Sequence, residues 1–294
     1  VVVGSVVGVI GRDRQAMRSV SAIILAAGKG TRMESDLPKV AHEVAGRAMV
    51  AWVVDACVEA GATRIVVVVG YEQAVVRRIF AEFSKPGVRL EFVEQAEQLG
   101  TGHAVGCARE KFANEERRSG ADVFVLAGDG PLIRGRTLRA ILARHREAGA
   151  AATLATSVIA DPAGYGRIIR DGSGSFVEIV EDKNATPEQA RVREVNPSYY
   201  CFDAGALFEA LERVERNPAS GEYYITDVPA LLLGAGRRVE VIEAVPPEDV
   251  LSINTLGQLA EVDAILRARP ARGDEAVCGG AGHCGCGGRK GASR

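Results

Sequence analysis

Lysine is scarce in this chain, blocks of like charge are absent, and the glycine patterns of the best-known nucleotide loops are incomplete. Only six of the 36 basic residues are lysines, and Lys29, Lys39 and Lys183 all fall inside motifs, which favours function over surface decoration. Against 38 acidic residues the formal charge is -2 with no polybasic block, so nucleic acid and anionic membrane are poor partners. A small anionic substrate needs only a local cluster. The apolar opening, Val1 to Ile10, has no basic n-region, is broken by Gly4 and Gly8, and is too short to cross a bilayer. Cys57, Cys107 and Cys201 stand apart in apolar segments, where free buried thiols are expected, and a cytoplasmic location follows.

With 294 residues the chain holds one large α/β domain or two small ones. Met17 lies four residues before the first core strand, so residues 1–16 are expected to lie upstream of the true start. The expected boundaries are an extension over 1–20, a folded α/β domain over 21–269, and a tail over 270–294. After Arg269 the composition shifts to Gly, Ala, Arg and Cys, which cannot bury enough apolar surface to order itself. Metal binding by Cys278, His283, Cys284 and Cys286 is the alternative, although their spacing matches no common zinc pattern.

Read from Ser21, the chain runs SAIILAAGKGTRM. Ala22 to Ala27 reads as a buried parallel strand that stops at Gly28. In the loop, Gly28 and Gly30 can bring backbone N–H groups against an anion, Lys29 and Arg32 add charge, and Thr31 adds a hydroxyl. The dinucleotide fingerprint is excluded by Met33, where its third glycine belongs, and by Gly70, where its acidic residue belongs. The Walker loop is excluded because DLPKV follows and Pro38 interrupts any early helix. An ordinary left-handed turn is the bland alternative, against which stands the convergence of Arg32 and Lys39 on one strand end.

Met49, Trp52, Val53, Ala56 and Ala60 recur at helical spacing and Gly61 ends the segment, so the Trp52 stripe is packing. Ile65 to Val69, a helix through Phe80, and Val88 to Val93 then predict a doubly wound, mostly parallel α/β sheet. In such sheets ligands sit beyond the carboxyl ends of the strands. There lies QAEQLGTGHAV, where Gln95 offers both donor and acceptor, Gly100 permits close backbone approach, and Thr101 is a helix cap or a ligand contact. His103, at the helix start, reads as structural rather than catalytic. The fourth strand, in Asp122 to Ile133, delivers Asp129, either a ligand for a hard cation or a turn residue before Pro131. From Ala151 short alternating strands predict an antiparallel excursion that lids the sheet and sets selectivity. A last helix places Leu256, Leu259, Val262, Ile265 and Leu266 on one face.

LAAGKGTRM followed by LPKV resembles the signature of the sugar-1-phosphate nucleotidylyltransferases. SDLPKV, QAEQLGTGHAV and GEYYITD (Gly221 to Asp227) make the chain, over about residues 20 to 268, similar to the uridylyltransferase half of the bifunctional N-acetylglucosamine-1-phosphate uridylyltransferase/glucosamine-1-phosphate acetyltransferase family. The resemblance implies a Rossmann-like fold and transfer of UMP from UTP to N-acetylglucosamine 1-phosphate, giving pyrophosphate and UDP-N-acetylglucosamine for cell-wall peptidoglycan precursors. It implies catalysis by Arg32 and Lys39, and nucleotide binding by Leu25, Ala27, Gly28, Gly30, Gln95, Gly100 and Thr101. It further implies sugar binding by Gly166, Glu181, Asn196, Tyr224 and Thr226, and Mg²⁺ on Asp129 and Asn254. Each has a plainer reading: a solvated turn for Glu181, core aromatics before a helix for the Tyr224 segment, an N-cap for Asn254.

Three departures from the family pattern stand out. Ala127 replaces a common aromatic, Pro197 follows Asn196 and removes a backbone donor, and no hexapeptide repeats follow, so the acetyl-transferring domain is expected to be missing. The first two keep open another sugar 1-phosphate or nucleotide. A non-catalytic sugar-nucleotide-binding subunit is the remaining rival, opposed by the joint presence of Arg32, Lys39, Asp129 and Asn254.

Overall fold

The computed structural model describes residues 19–114 and 120–269. The expected tail, and all of the expected extension except Ser19 and Val20, lie outside the described residues. Strand β1 (Val20–Ala26) leads through 3₁₀ turns at Thr31–Met33 and Lys39–Ala41 to a hairpin of β2 (Glu43–Val44) and β3 (Arg47–Ala48). Helix α1 (Met49–Glu59), β4 (Arg64–Val69), α2 (Gln73–Ile79), β5 (Arg89–Glu94), α3 (Thr101–Cys107) and β6 (Asp122–Ala127) follow. Next come α4 (Gly135–Ala148), β7 (Ala152–Val158), β8 (Gly166–Arg170), β9 (Phe176–Val180) and β10 (Glu194–Asp203). The described chain closes with α5 (Ala204–Leu211), α6 (Val228–Gly234), β11 (Val239–Glu243) and α7 (Leu256–Ala268).

The main sheet runs β11-β7-β10-β6-β1-β4-β5, parallel throughout except for β10, which lies antiparallel to β6 and β7. Side chains alternate across a strand, so β1 feeds two cores. Ala22, Ile24 and Ala26 pack with Val53 and Cys57 of α1 and with Leu138 and Ile141 of α4. Ile23 joins Val66, Val105 of α3, Leu207 and Phe208 of α5, and Leu232 of α6 on the opposite face. Helices on both faces explain why the central strands read as continuous apolar runs.

A third, smaller apolar cluster collects Met33, Val44, Met49, Leu132, Ile253, Val262 and Leu266. It pins α7 onto the β2–β3 hairpin and reaches under three loops at the carboxyl ends of the strands. Within α7, Val262 and Leu266 are buried, but Leu256 is 53% exposed, so the expected five-residue face begins one turn too early.

The excursion is narrower than expected from Ala151. Strand β7 is buried along six of its seven residues and lies inside the main sheet, as does β10. Its Thr153 and Thr156 look solvated in sequence, yet they are buried with partners: His145 Nδ1 at 3.0 Å from the Thr153 hydroxyl, and Glu194 Oε1, which accepts from Thr156 at 2.9 Å. Only the antiparallel pair β8–β9 leaves the path, attached to β10 through Val195–Arg167 and Asn196–Gly166. Among the described residues no helix is long and apolar enough to cross a membrane.

Burial separates two leucine-sized truncations. Ile24→Ala, which empties part of a fully buried site on the central strand, should cost ~2–5 kcal/mol in urea unfolding, whereas Leu256→Ala should stay within ~0.5 kcal/mol. Equal losses would contradict the placement of α7.

Candidate active site

The glycine loop is shaped by its second glycine. Gly30 adopts φ 74°, and a Cβ there would stand 2.6 Å from Cβ of Lys39, so the bare backbone lets Lys39 pack against the loop. A Cβ at Gly28 would meet nothing within 4 Å, which leaves that face open to a ligand. Leu25, Ala27, Gly28, Lys39, Asp129 and Tyr224 are among the residues around a cleft of about 290 Å³ at the carboxyl ends of the strands.

At one end of this cleft four side chains from distant segments meet. Lys39 Nζ donates to Asp129 Oδ2 and, at 2.7 Å, to Asn254 Oδ1, while Arg32 Nη2 reaches the same amide oxygen at 2.9 Å. Both cations only donate, so the oxygen of Asn254 must face them; its nitrogen donates to Ser252 Oγ at 3.3 Å. The N-cap role open to Asn254 is taken by Thr255, whose hydroxyl accepts from Gln258 N–H. The backbone supports the junction, because Ile253 N–H donates to the Asp129 carbonyl at 3.1 Å. Two oxygen donors already converge on a cation here, and one carboxylate with one amide suits a divalent metal completed by water and phosphate oxygens. Among the described residues no group of three or more His, Cys, Asp or Glu forms a cage by itself.

The other end of the cleft is built around Gln95, which is 3% exposed. Its Nε2 donates to the Gly100 carbonyl at 3.0 Å and lies 3.1 Å from His103 Nδ1. Gly100 is required sterically: it has φ 100°, and a Cβ would fall 2.5 Å from the Tyr223 carbonyl. Thr101 lines the cleft and also ties down the neighbouring segment, its hydroxyl accepting from Ile225 N–H at 3.1 Å.

Among the expected sugar residues, Glu181 and Thr226 are joined at 3.0 Å, and Gly166 pairs with Asn196 across β8 and β10. The Asn196 amide serves local structure: its nitrogen donates to Tyr200 Oη at 2.6 Å and its oxygen accepts from Ser198 N–H at 3.2 Å. Tyr224 lines the cleft beneath the Lys183 ammonium, 5.1 Å from its ring centroid. Sequence reasoning missed Gln98 and Glu222, which also line the cleft, and the contact of His103 with Gln95. Glu222 lies inside GEYYITD and pairs with Lys183 at 3.1 Å, so the motif itself was the available signal.

A mostly parallel sheet with a glycine loop and a cation–carboxylate junction at its strand ends defines an α/β protein built to handle phosphate esters. The family model described as nucleotidyl transferase matches residues 21–249, and the chain belongs to that family. It is 46% identical over 252 residues to the bifunctional protein GlmU of Pelotomaculum thermopropionicum, covering 85% of this chain and 52% of that protein. It is 45% identical over 253 residues to GlmU of Geobacter metallireducens, covering 86% and 52%. The chain thus spans about half the length of these relatives. A crystal structure of UDP-glucose pyrophosphorylase complexed with UDP-glucose shares the fold, with a TM-score of 0.69 at 18% identity, covering 86% of this chain and 100% of that one.

Burial pushes the Glu181 carboxyl above its ordinary value, against the hydrogen bond from Thr226 and the charge of Lys183, which pull it down. Burial, then the charges of Glu181 and Glu178, push Asp227 up to about 6. A carboxyl raised on folding holds its proton longer in the folded state, so stability falls as pH rises from the unfolded pKa to the folded one. Glu181→Gln keeps an acceptor for Thr226 and removes the charge. It should therefore raise the melting temperature more at pH 8 than at pH 4; an equal gain at both would show that the carboxylate carries no such cost.

Proposed function

We propose that the chain transfers UMP from UTP to N-acetylglucosamine 1-phosphate, releasing pyrophosphate and forming UDP-N-acetylglucosamine. The observation that carries this reading is the junction of Arg32, Lys39, Asp129 and Asn254 over the glycine loop, with Gln95 at the far end of the same cleft. The identity to GlmU proteins supports uridylyl transfer in particular.

The sugar phosphate oxygen is ionised at neutral pH, so no side-chain base is required to generate the nucleophile. That oxygen bonds to the α-phosphorus of UTP as the bond to the β-phosphate oxygen breaks, and pyrophosphate leaves with the electron pair. Two N–H groups of the Lys39 ammonium are held by Asp129 and Asn254, which aims the third at a phosphate oxygen. Arg32, anchored through Asn254, adds a second positive charge, and the open backbone at Gly28 receives the phosphates. Mg²⁺ would take the oxygens of Asp129 and Asn254 in place of the Lys39 ammonium, releasing that ammonium to the phosphates, and would supply Lewis-acid charge stabilisation there. Gln95, Gly100 and Thr101 bind the base, while Tyr224, Glu181, Thr226, Gly166 and Asn196 form the sugar end. The reading places the reaction in the cytoplasm, where Cys57, Cys107 and Cys201 stay reduced, and its product among the peptidoglycan precursors.

Pyrophosphate release with UTP and a panel of sugar 1-phosphates tests the proposal, with N-acetylglucosamine 1-phosphate expected to turn over fastest. Asp129→Asn preserves size and removes the charge that orients Lys39. It should lower kcat and kcat/KM together by about 10²-fold or more and weaken the dependence on Mg²⁺. Wild-type turnover in that variant would reduce Asp129 to a turn residue before Pro131.

A further inference from the structure

Gln95 reads the cleft through only one of its two polar atoms. A primary amide carries two N–H donors and one acceptor oxygen. The Gly100 carbonyl can only accept, so the nitrogen of Gln95 must face it, and the second N–H then meets His103 Nδ1. That ring nitrogen must be the unprotonated one. The hydrogen sits on Nε2, 4.0 Å from Cys107 Sγ, a weak acceptor. With both N–H groups engaged inside the protein, Oε1 is the atom left for a ligand; among the described residues nothing donates to it. At 3% exposure the side chain has little room to rotate.

We propose that His103 is a positioning residue that sets base selectivity: by accepting from the Gln95 amide it fixes Oε1 toward the ligand, so the site takes a pyrimidine bearing an N3–H. This rests on the uridylyl-transfer reading above. Uracil presents that donor. Cytosine presents a lone pair at N3, which places two acceptors face to face, and a buried site rejects such a partner by leaving its own polar group unpaired. His103 does not line the cleft itself, so it acts through Gln95. Removing its acceptor leaves a buried N–H of Gln95 unpaired and the amide held by the Gly100 carbonyl alone, so Oε1 is less firmly fixed toward the ligand and the penalty on cytosine shrinks.

The test compares wild type, His103→Leu, which removes the acceptor, and His103→Asn, which returns an acceptor oxygen on a short side chain. Binding of UTP and CTP is measured by calorimetry, kcat and KM for each nucleotide by pyrophosphate release, and folding by thermal melting. His103→Leu should narrow the UTP-over-CTP affinity ratio about tenfold, the scale of one buried hydrogen bond, raising KM for UTP with kcat within about twofold. His103→Asn should recover most of the ratio. If Leu does not fold, His103→Phe, an aromatic ring without a nitrogen acceptor, replaces it. A ratio unchanged in Leu or Phe overturns the proposal, as does an equal loss for both nucleotides, or an Asn variant no better than Leu. A wild-type protein without preference for UTP would instead sink the uridylyl-transfer reading, before any variant is compared.

Discussion

One ammonium group is where three distant segments of this molecule meet. Lys39 arrives from the loop after the first strand, Asp129 from the end of β6 and Asn254 from the approach to α7, separated from Lys39 by 90 and 215 residues. Neither charge of the Lys39–Asp129 pair is deeply buried, so the pair is a modest source of stability. What fixes it is apolar. Met33 lies beside Arg32, Leu132 follows Asp129 within the same turn, and Ile253 precedes Asn254; all three are buried in the small third core. The polar junction is thus the exposed rim of a hydrophobic cluster, and its geometry comes from packing rather than from attraction between the charges.

Around Glu181 and Asp227 the constraint is opposite in kind. Burial raises both the Glu181 and Asp227 carboxyls, so charge there opposes folding at neutral pH. The strand beneath is irregular too: β10 shifts register against β7 between Val195 and Tyr199, and Ser198 sits at φ 64°, a conformation disfavoured for a residue with a side chain. Pro197 lies inside that irregularity, where a missing N–H breaks no regular ladder. Asn196 is turned to hold the bulge through Ser198 and Tyr200. Ala127, at the neighbouring end of β6, leaves the cleft wall without a ring. These features gather in one region of the fold, around the junction of β10 with β8 and the turn that follows β9.

Much of this was legible in the sequence because the informative signals are local. The apolar run through Ile23 and Ile24, the loop at Gly28 and Gly30, and Asp129 between two glycines each declare a strand end within a few residues. Long-range pairing is not written that way. Buried Thr153 and Thr156 mimic a half-exposed strand, and only their partners in other elements show that β7 belongs to the main sheet. Leu256 fits the helical period yet faces solvent, because periodicity gives a face but not where its cover begins. His103 was invisible as a functional residue for a related reason: its role depends on which atom of Gln95 faces Gly100, a fact of three-dimensional hydrogen bonding.

The segment from Gly221 to Asp227 ties the helix beside Gln95 to the turn that follows β9. Toward Gln95, Tyr223 N–H donates to the Leu99 carbonyl and Gly102 N–H to the Tyr223 carbonyl, both at 2.8 Å, while Thr101 accepts from Ile225 N–H. Toward the turn after β9, Glu222 pairs with Lys183 and Thr226 donates to Glu181. The backbone of this segment is therefore committed to the helix that carries His103, and its side chains to the turn that follows β9. Glycines at 100 and 102 make that commitment sterically possible, since a Cβ at either would press on Tyr223 at 2.5 or 3.1 Å. The helix that begins at Thr101 and the turn that follows β9 accordingly share one backbone segment as their support.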